Sequence, residues 1–371
     1  MKNILITGGA GFIGSYLSLQ LQKEGYKVTV MDNLSPQVHG ENSYLYEMIK
    51  ENVHFIHGDV RVKADWEHAI QNQDLIIHLA AETGTGQSMY EIQKYQQVNN
   101  MGTSLLIDVL VNHPHQVKKI ILASSRAVYG EGKYLLNRQY YYPNSRKTED
   151  LQAGNFNLTH HGQILQPLPT DEDALLHPIS FYGLTKLHQE DIIKFACNTL
   201  GIEYAILRFQ NVYGVGQSLQ NPYTGILSIF SNQILFENSI NVFEDGGATR
   251  DFIEVNDAVT AISKSIKLVK DDIVNVGTGI PTSILQIAEK LNSLFGKNKD
   301  INISGNFRKG DIRYNVADTT KMEKLLQFTP AISLDEGLKK WVNWVSTQEI
   351  TSSHFQQSIL EMKEKGLLLQ A

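Results

Sequence analysis

Cysteine is almost missing from this chain. Cys197 stands alone among 371 residues, which excludes an internal disulfide and any cysteine-rich metal site. No apolar run approaches the roughly 20 residues that span a bilayer, and no charged-then-apolar leader precedes the first core segment. The expectation is a soluble, cytoplasmic chain without a membrane partner. Positive charge is also short: 33 lysines and arginines face 39 aspartates and glutamates, a formal net charge of -6. That balance argues against nucleic acid as a partner and leaves any anionic ligand to local basic groups. Internal repeats are lacking too. The length is ample for one large or two ordinary domains with a buried core.

What is there begins at once. An apolar run, Ile4-Leu5-Ile6, passes through Thr7 into a glycine cluster and then into a segment with apolar Phe12, Ile13, Tyr16, Leu17 and Leu21. The pattern predicts a buried strand, a tight turn and a helix. Gly9, Gly11 and Gly14 spell G-x-G-x-x-G, and Gly8 gives a second reading, G-x-x-G-x-x-G. Such glycines permit the turn, let backbone approach a pyrophosphate and let the helix pack on the strand. The helix start then offers free N–H groups and partial positive charge to phosphates. A second strand pattern ends at Asp32, a carboxylate placed for a ribose diol.

Strand and helix patterns alternate through the first half, which predicts an α/β fold of the doubly wound, Rossmann type: a parallel sheet covered on both faces. Further strands are expected near 53–56, 74–81, 119–123 and 203–208. Asp59 falls at a strand end, where it either meets an adenine or caps a helix. His78 reads as a core histidine. Residues 82–88 form a small-residue loop at the carboxyl end of the sheet, where open α/β sheets bind ligands, and 89–112 read as one long helix. Residues 131–168 show neither periodicity and are expected to be a lid or binding loop. The chain divides into a dinucleotide-binding domain at 1–210, carrying that inserted loop, and a smaller α/β substrate-binding part at 211–347. Residues 250–280 return to the main sheet, and a tail at 348–371 could form a helix.

Tyr182 and Lys186 lie four apart on a predicted helix, so they share one face. An ammonium beside a phenol is expected to lower the phenol pKa, so that the phenolate takes a proton from a substrate hydroxyl as hydride leaves the same carbon.

These pieces together resemble the extended short-chain dehydrogenases/reductases of the NAD-dependent nucleotide-sugar epimerase and dehydratase family. The likeness runs through TGGAGFIGS, MDNLS, GDV, HLAAETGTGQS, NNMGT, SSRAVYG, YGLTK, LRFQNVYG, RDFIEVND and NVGTG. SSRAVYGEGKY, PTDED, GQSLQNPYTG and VFEDGGATRDF most resemble the family's dTDP-L-rhamnose 4-epimerase-like branch. The resemblance implies that Gly8, Gly11, Phe12, Ile13, Asp32, Asn33, Asp59, Val60, Leu79, Ala80, Ala81, Thr83 and Asn99 contact NAD. It gives Tyr182 and Lys186 to the nicotinamide ribose as well as to catalysis, and Ser125 to the reacting sugar oxygen. Asn211, Arg250 and Arg308 or Arg313 would grip a diphosphate, with Arg126 and Gln217 also on the substrate. Val242 and Phe243 would pack on the nucleobase. For each arginine a surface salt bridge is the alternative.

Asp32 with no arginine nearby in sequence favours NAD over NADP, because a 2'-phosphate would meet a carboxylate. The family's 4,6-dehydratases carry Asp-Glu directly after the equivalent of Ser125, and related decarboxylases keep the glutamate. Here Arg126-Ala127 stands there, which leaves chemistry at C5 and C6 without an acid or base. The expected function is a nucleotide-sugar 4-epimerase with bound NAD, on a dTDP- or UDP-linked hexose. The alternatives are a dehydratase, decarboxylase or ketosugar reductase, or, in another class, a non-catalytic NAD-binding sensor. The branch commonly carries paired cysteines in the loop at 133–168; here there are none, so no metal is expected. A homodimer follows by analogy.

Overall fold

A computed structural model describes residues 1–40, 44–219, 221, 225–348 and 355–371. Gln220 and residues 222–224 of the GQSLQNPYTG motif, and residues 349–354 of the tail, lie outside them. Seven parallel strands form the main sheet, in the order Asp272–Val276, Glu203–Phe209, Lys119–Ser125, Leu75–His78, Asn3–Thr7, Lys27–Asp32, His54–His57. The order reverses between Asn3–Thr7 and Leu75–His78, which open side by side. This is the switch point at which doubly wound sheets leave a crevice beyond their carboxyl ends.

The sheet strands are apolar on both faces because helices cover both. On one face Ile4, Ile6, Val28, Val30 and Leu75 pack with helices Phe12–Lys23 and Val255–Leu268. On the other, Leu5, Met31, Ile76, Ile120 and Leu122 meet helices Lys63–Ala69, Gly102–Asn112 and Phe181–Leu200. A separate core gathers Tyr213, Phe230, Ile240, Ile287, Leu338 and Trp341 around helices Ile226–Phe236, Ile284–Phe295 and Leu334–Val345. The segment expected as one long helix at 89–112 is helical from Ile92, with a π turn at Gln96–Met101 in its middle.

The stretch at 131–168 is not a structureless lid. It folds into a three-stranded sheet of Gln166–Pro167, Tyr134–Leu136 and Gln139–Tyr141, a hairpin of Thr159–His160 with Gln163–Ile164, and a helix, Thr148–Gln152. Strands of two or three residues complete no period, so no sequence pattern could announce them. Leu151 and Phe156 of this unit share a small core with Phe307 and with Leu369 of the tail. The tail forms a helix, Phe355–Glu364, and a strand, Leu368–Leu369, that pairs antiparallel with Phe307–Arg308.

His78 sits wholly inside the core. Its Nδ1 meets the Thr7 hydroxyl at 2.7 Å, and its Nε2 lies 3.1 Å from Thr103 Oγ1. Burial first, and the nearby Lys186 charge second, push its pKa from 6.5 down to about 3. Below pH 6.5 the unfolded chain therefore binds a proton that the folded chain refuses. The contribution of a neutral His78 is complete above pH 6.5 and is lost as pH falls toward 3, by up to about 1.4 kcal/mol per pH unit. Replacing His78 with Asn is expected to flatten the decline in thermal midpoint between pH 6 and 4 relative to the parent chain. Parallel declines would show that this ring does not titrate as stated.

Candidate active site

The carboxyl ends of the sheet open into a cavity of about 640 Å³ that runs from the glycine turn to the second core. At its dinucleotide end, Gly8 takes φ +67°, and a Cβ there would lie 2.7 Å from the Ala80 amide nitrogen. A Cβ at Gly14 would lie 2.4 Å from the Gly8 carbonyl oxygen. Only glycine lets the turn, the helix and the neighbouring strand end come this close. Asp32 closes the turn by accepting from the Ala10 amide at 3.0 Å and the Leu34 amide at 2.9 Å. Its carboxylate also faces the His39 ring at 3.4 Å.

Beside Gly8, Gly11, Phe12, Ile13 and Asp32, the cavity wall takes in Asn33, Asp59, Val60, Leu79, Ala80, Ala81 and Thr83. Asp59 caps no helix through its side chain; it takes both Arg61 Nε at 2.9 Å and Arg61 Nη2 at 2.7 Å, with Asn33 on its other side. Arg61 holds that carboxylate down at about 2, against the opposing effect of burial. An arginine is thus near the ribose end in space although none is near in sequence, but Asp59 already occupies its guanidinium. Asn99 does not line the cavity. It is fully buried in the π turn, accepts from the Glu82 amide, donates to the Glu82 carbonyl and reaches Thr185 Oγ1 at 2.9 Å. Its place is behind the loop at 82–88, which it holds. Lys94, which pairs with Glu82 at 3.2 Å, does reach the cavity. No sequence pattern marked it.

Three elements converge on the centre. Strand Lys119–Ser125 ends at Ser125, whose Oγ accepts from the Ala127 amide and starts the short 3-10 turn Arg126–Tyr129. The helix Phe181–Leu200 starts at Ser180, which caps the Gly183 amide. A Cβ at Gly183 would lie 2.5 Å from the Ala127 carbonyl oxygen, so glycine is what lets the helix start rest on the 126–129 turn. Tyr182, in the first helical turn, and Ser125 and Lys186 all line the cavity. Lys186 Nζ donates to the Ala123 carbonyl at 2.9 Å. Burial pulls the Lys186 amine down to about 7, with Glu190 opposing.

The Tyr182 phenol departs from the expectation of a lowered pKa. In the chain alone burial raises it, while a hydrogen bond with Ser125 and the charge of Arg126 pull it back. The reason is that a ring removed from water pays for ionisation before neighbouring charge can help, and Lys186 spends a proton on the Ala123 carbonyl.

On the substrate side, Arg126, Asn211, Gln217, Phe243, Arg250 and Arg308 line the cavity, with Asp311 and Glu244 among them. Arg308 lies over the Phe243 ring at 5.5 Å and pairs with Asp311 at 2.9 Å. Arg250 donates to the carbonyls of Thr249 and Ile312. Val242 and Arg313 do not line the cavity. Val242 is fully buried in the second core, one residue short of Phe243, because alternate strand residues face opposite ways. Arg313 is held by Asp245 at 2.6 and 2.9 Å and by Asn157 of the inserted unit. Arg146 of the same unit forks onto Glu244 at 2.7 and 2.8 Å and faces Glu131 at 3.3 Å. The insertion therefore stands behind the substrate wall.

One buried ion pair fastens the centre. Arg208, next to the Ser125 strand, meets Glu190 of the Tyr182 helix at 2.7 Å, and both are almost fully buried. Glu190 also takes the Ser124 hydroxyl, and Arg208 donates to Tyr129 Oη at 2.9 Å. Arg208→Met leaves Glu190 buried and alone, so it should destabilise the chain by about 3–5 kcal/mol in urea unfolding. An unchanged midpoint would refute this role.

Comparison with known proteins places this geometry. The model of the NAD dependent epimerase/dehydratase family matches residues 4–157 and 159–277. The dTDP-L-rhamnose 4-epimerase of Burkholderia thailandensis is 36% identical over 352 residues, covering 94% of this chain and 96% of that protein. Among solved structures, the UDP-glucose 4-epimerase of Thermotoga maritima with UDP-glucose is 29% identical, with a TM-score of 0.74 over 93% of this chain and 98% of that one. The UDP-glucuronic acid 4-epimerase of Bacillus cereus, in complex with UDP-glucuronic acid and NAD, is 26% identical with a TM-score of 0.75, covering 93% and 99%. The family match over residues 4–157 and 159–277, the 36% identity and the shared parallel-sheet fold settle it: this chain is a member of the NAD dependent epimerase/dehydratase family.

Proposed function

We propose that this chain is an NAD-dependent nucleotide-sugar 4-epimerase acting on dTDP- or UDP-linked hexoses, 6-deoxyhexoses included. The carrying observation is that Ser125, Tyr182 and Lys186 share one cavity with both the glycine turn and two substrate-side arginines, Arg250 and Arg308. The cavity fits a dinucleotide: the glycine cradle excludes any Cβ, and Asp32, oriented by two amides, leaves a carboxylate for a ribose diol. Gly8, Gly11, Phe12, Ile13, Asp32, Asn33, Asp59 and Val60 would hold the adenosine half, and Leu79, Ala80, Ala81 and Thr83 would follow the loop toward the centre.

When bound, NAD would supply a hydride acceptor for the reacting sugar carbon. Ser125 and Tyr182 hold the C4 oxygen, and Tyr182 takes its proton as the carbon is oxidised. Against the burial of the phenol stand a hydrogen bond with Ser125 and the charge of Arg126, while Lys186, donating to the Ala123 carbonyl, lies one helical turn beyond Tyr182. Arg250 and Arg308 would keep the diphosphate anchored while the 4-keto sugar turns over, and Tyr182 would return the proton to the C4 oxygen. Arg126-Ala127 offers no carboxylate for elimination at C5 and C6, which favours simple oxidation and return over dehydration or decarboxylation.

Incubation with dTDP-L-rhamnose, UDP-glucose and UDP-glucuronate, without added cofactor, should change the C4 configuration of at least one by NMR. Tyr182→Phe is expected to cut turnover by about 100-fold or more, as loss of an acid–base group does, while nucleotide retained on purification stays the same. Inertness of the parent chain across the panel would contradict the reading, as would an undiminished rate in the variant.

The end of the π turn Gln96–Met101 and the outer surfaces of helices Gly102–Asn112 and Phe181–Leu200 expose Met101, Val111 and Phe195, the last 77% accessible. These residues support a homodimer formed through this helix pair. Phe195→Glu is expected to convert a dimer into a monomer by light scattering; a parent chain that is itself monomeric would end this proposal.

A further inference from the structure

The described residues of the tail, 355–371, reach both ends of the cavity without lining it. Its helix, Phe355–Glu364, rests on the loop at the cofactor end: the Met362 sulfur lies 3.7 Å from where a Cβ on Gly86 would stand, and Tyr90 Oη donates to Glu361 Oε2 at 3.1 Å. Gly84 and Thr85, at the start of that loop, line the cavity. Its strand, Leu368–Leu369, pairs with Phe307–Arg308, and the Leu367 carbonyl accepts from the Lys309 amide at 2.9 Å. Arg308 lines the cavity at its substrate end. Among the described residues the tail strand completes the two-stranded sheet that holds Phe307–Arg308, and a strand of two residues has no place of its own without such a partner.

Between the helix and the strand of the tail the chain turns at Gly366, which takes φ +64°. The Leu367 amide donates to the Met362 carbonyl at 2.8 Å, and the Gly366 amide donates to the Lys363 carbonyl at 3.0 Å. This pair of bonds is the Schellman turn, which fixes the direction in which a chain leaves a helix. The two arms of the tail therefore keep one angle, and they hold the 84–90 loop and the Arg308 strand at one spacing. The walls also meet directly beside the tail: a Cβ on Gly310 would lie 3.9 Å from the Met89 sulfur.

We propose that the tail is a positioning strap, which sets the Arg308 strand against the 84–90 loop and so places the Arg308 guanidinium for the diphosphate of the substrate. The proposal rests on the nucleotide-sugar reading and deepens it. A guanidinium meets a diphosphate with two donors only when its backbone stands at the right distance. Reciprocity follows: if undocking the tail lowers nucleotide affinity by some factor, bound nucleotide stabilises the docked tail by the same factor.

The test uses the full chain with UDP and dTDP, which carry the diphosphate without the sugar. In the parent chain, saturating nucleotide should slow amide exchange at 305–311 and at 366–371 by about 5-fold or more. Leu368→Asp puts a charge at a buried position of the tail strand, and Gly366→Val strains the turn, where a Cβ would meet nothing within 4 Å but a branched residue resists positive φ. Neither residue lines the cavity. Each variant should weaken the calorimetric affinity for nucleotide by about the factor found in the exchange experiment, while NAD retained on purification stays the same. On an Arg308→Met background the same two changes should cost no more than about twofold further, because the arginine that the strap positions is gone. A lowered thermal midpoint with nucleotide affinity unchanged, and with exchange indifferent to nucleotide, would make the tail a stabilising element alone and overturn the proposal. So would an undiminished loss of affinity on the Arg308→Met background. A parent chain that binds neither UDP nor dTDP would instead refute the functional reading beneath it.

Discussion

The ion pair of Glu190 with Arg208 is the interaction on which the proposed catalytic arrangement depends. Glu190 lies one helical turn beyond Lys186, and Arg208 lies on the strand beside the one that ends in Ser125. Joining them, with Ser124 and Tyr129 completing the network, fixes the helix that carries Tyr182 and Lys186 against the strand that delivers Ser125. Such a pair is costly to bury and contributes little net stability against an apolar replacement. Its value here is positional: it ties the helix to the sheet at the observed register. Gly183, which lets the helix start rest on the turn after Ser125, works to the same end.

The substrate wall is made differently. Its residues come from short strands and loops of the second half, and they are braced from outside by the inserted unit and by the tail. Arg146 grips Glu244, Asn157 reaches Arg313, and the tail strand pairs with Phe307–Arg308. One side of the cavity is therefore the carboxyl end of the main sheet, and the other is assembled from short strands and loops braced by the inserted unit and the tail. This division matches a family in which one reaction centre serves different sugars.

How much of this could be read from residues alone follows from the range of the interactions. The glycine turn, Asp32 and the pairing of Tyr182 with Lys186 are local patterns with fixed spacing, and the alternation of buried strands with amphipathic helices predicted the parallel sheet. The inserted unit was illegible because its strands are too short for any period. Val242 and Phe243 adjoin in sequence, yet pleating sends only Phe243 to the cavity. Arg308 and Arg313 look alike in FRKGDIR, and only the distant Asp245 and Asn157 decide that Arg313 is already engaged. Asn99, expected to contact NAD, instead holds the loop at 82–88 from behind. The upward shift of Tyr182 could not be seen from i,i+4 spacing, since burial is a property of the whole fold.

In the proposed reaction hydride leaves C4 and returns to the same carbon of the same sugar within one cavity. The most direct measurement is epimerisation of a nucleotide sugar carrying deuterium at C4, followed by mass spectrometry and NMR of the product. The account predicts that the deuterium stays at C4 of the inverted sugar, with none in solvent or in added free NAD. Deuterium lost to water, or transferred to the free cofactor pool, would contradict it.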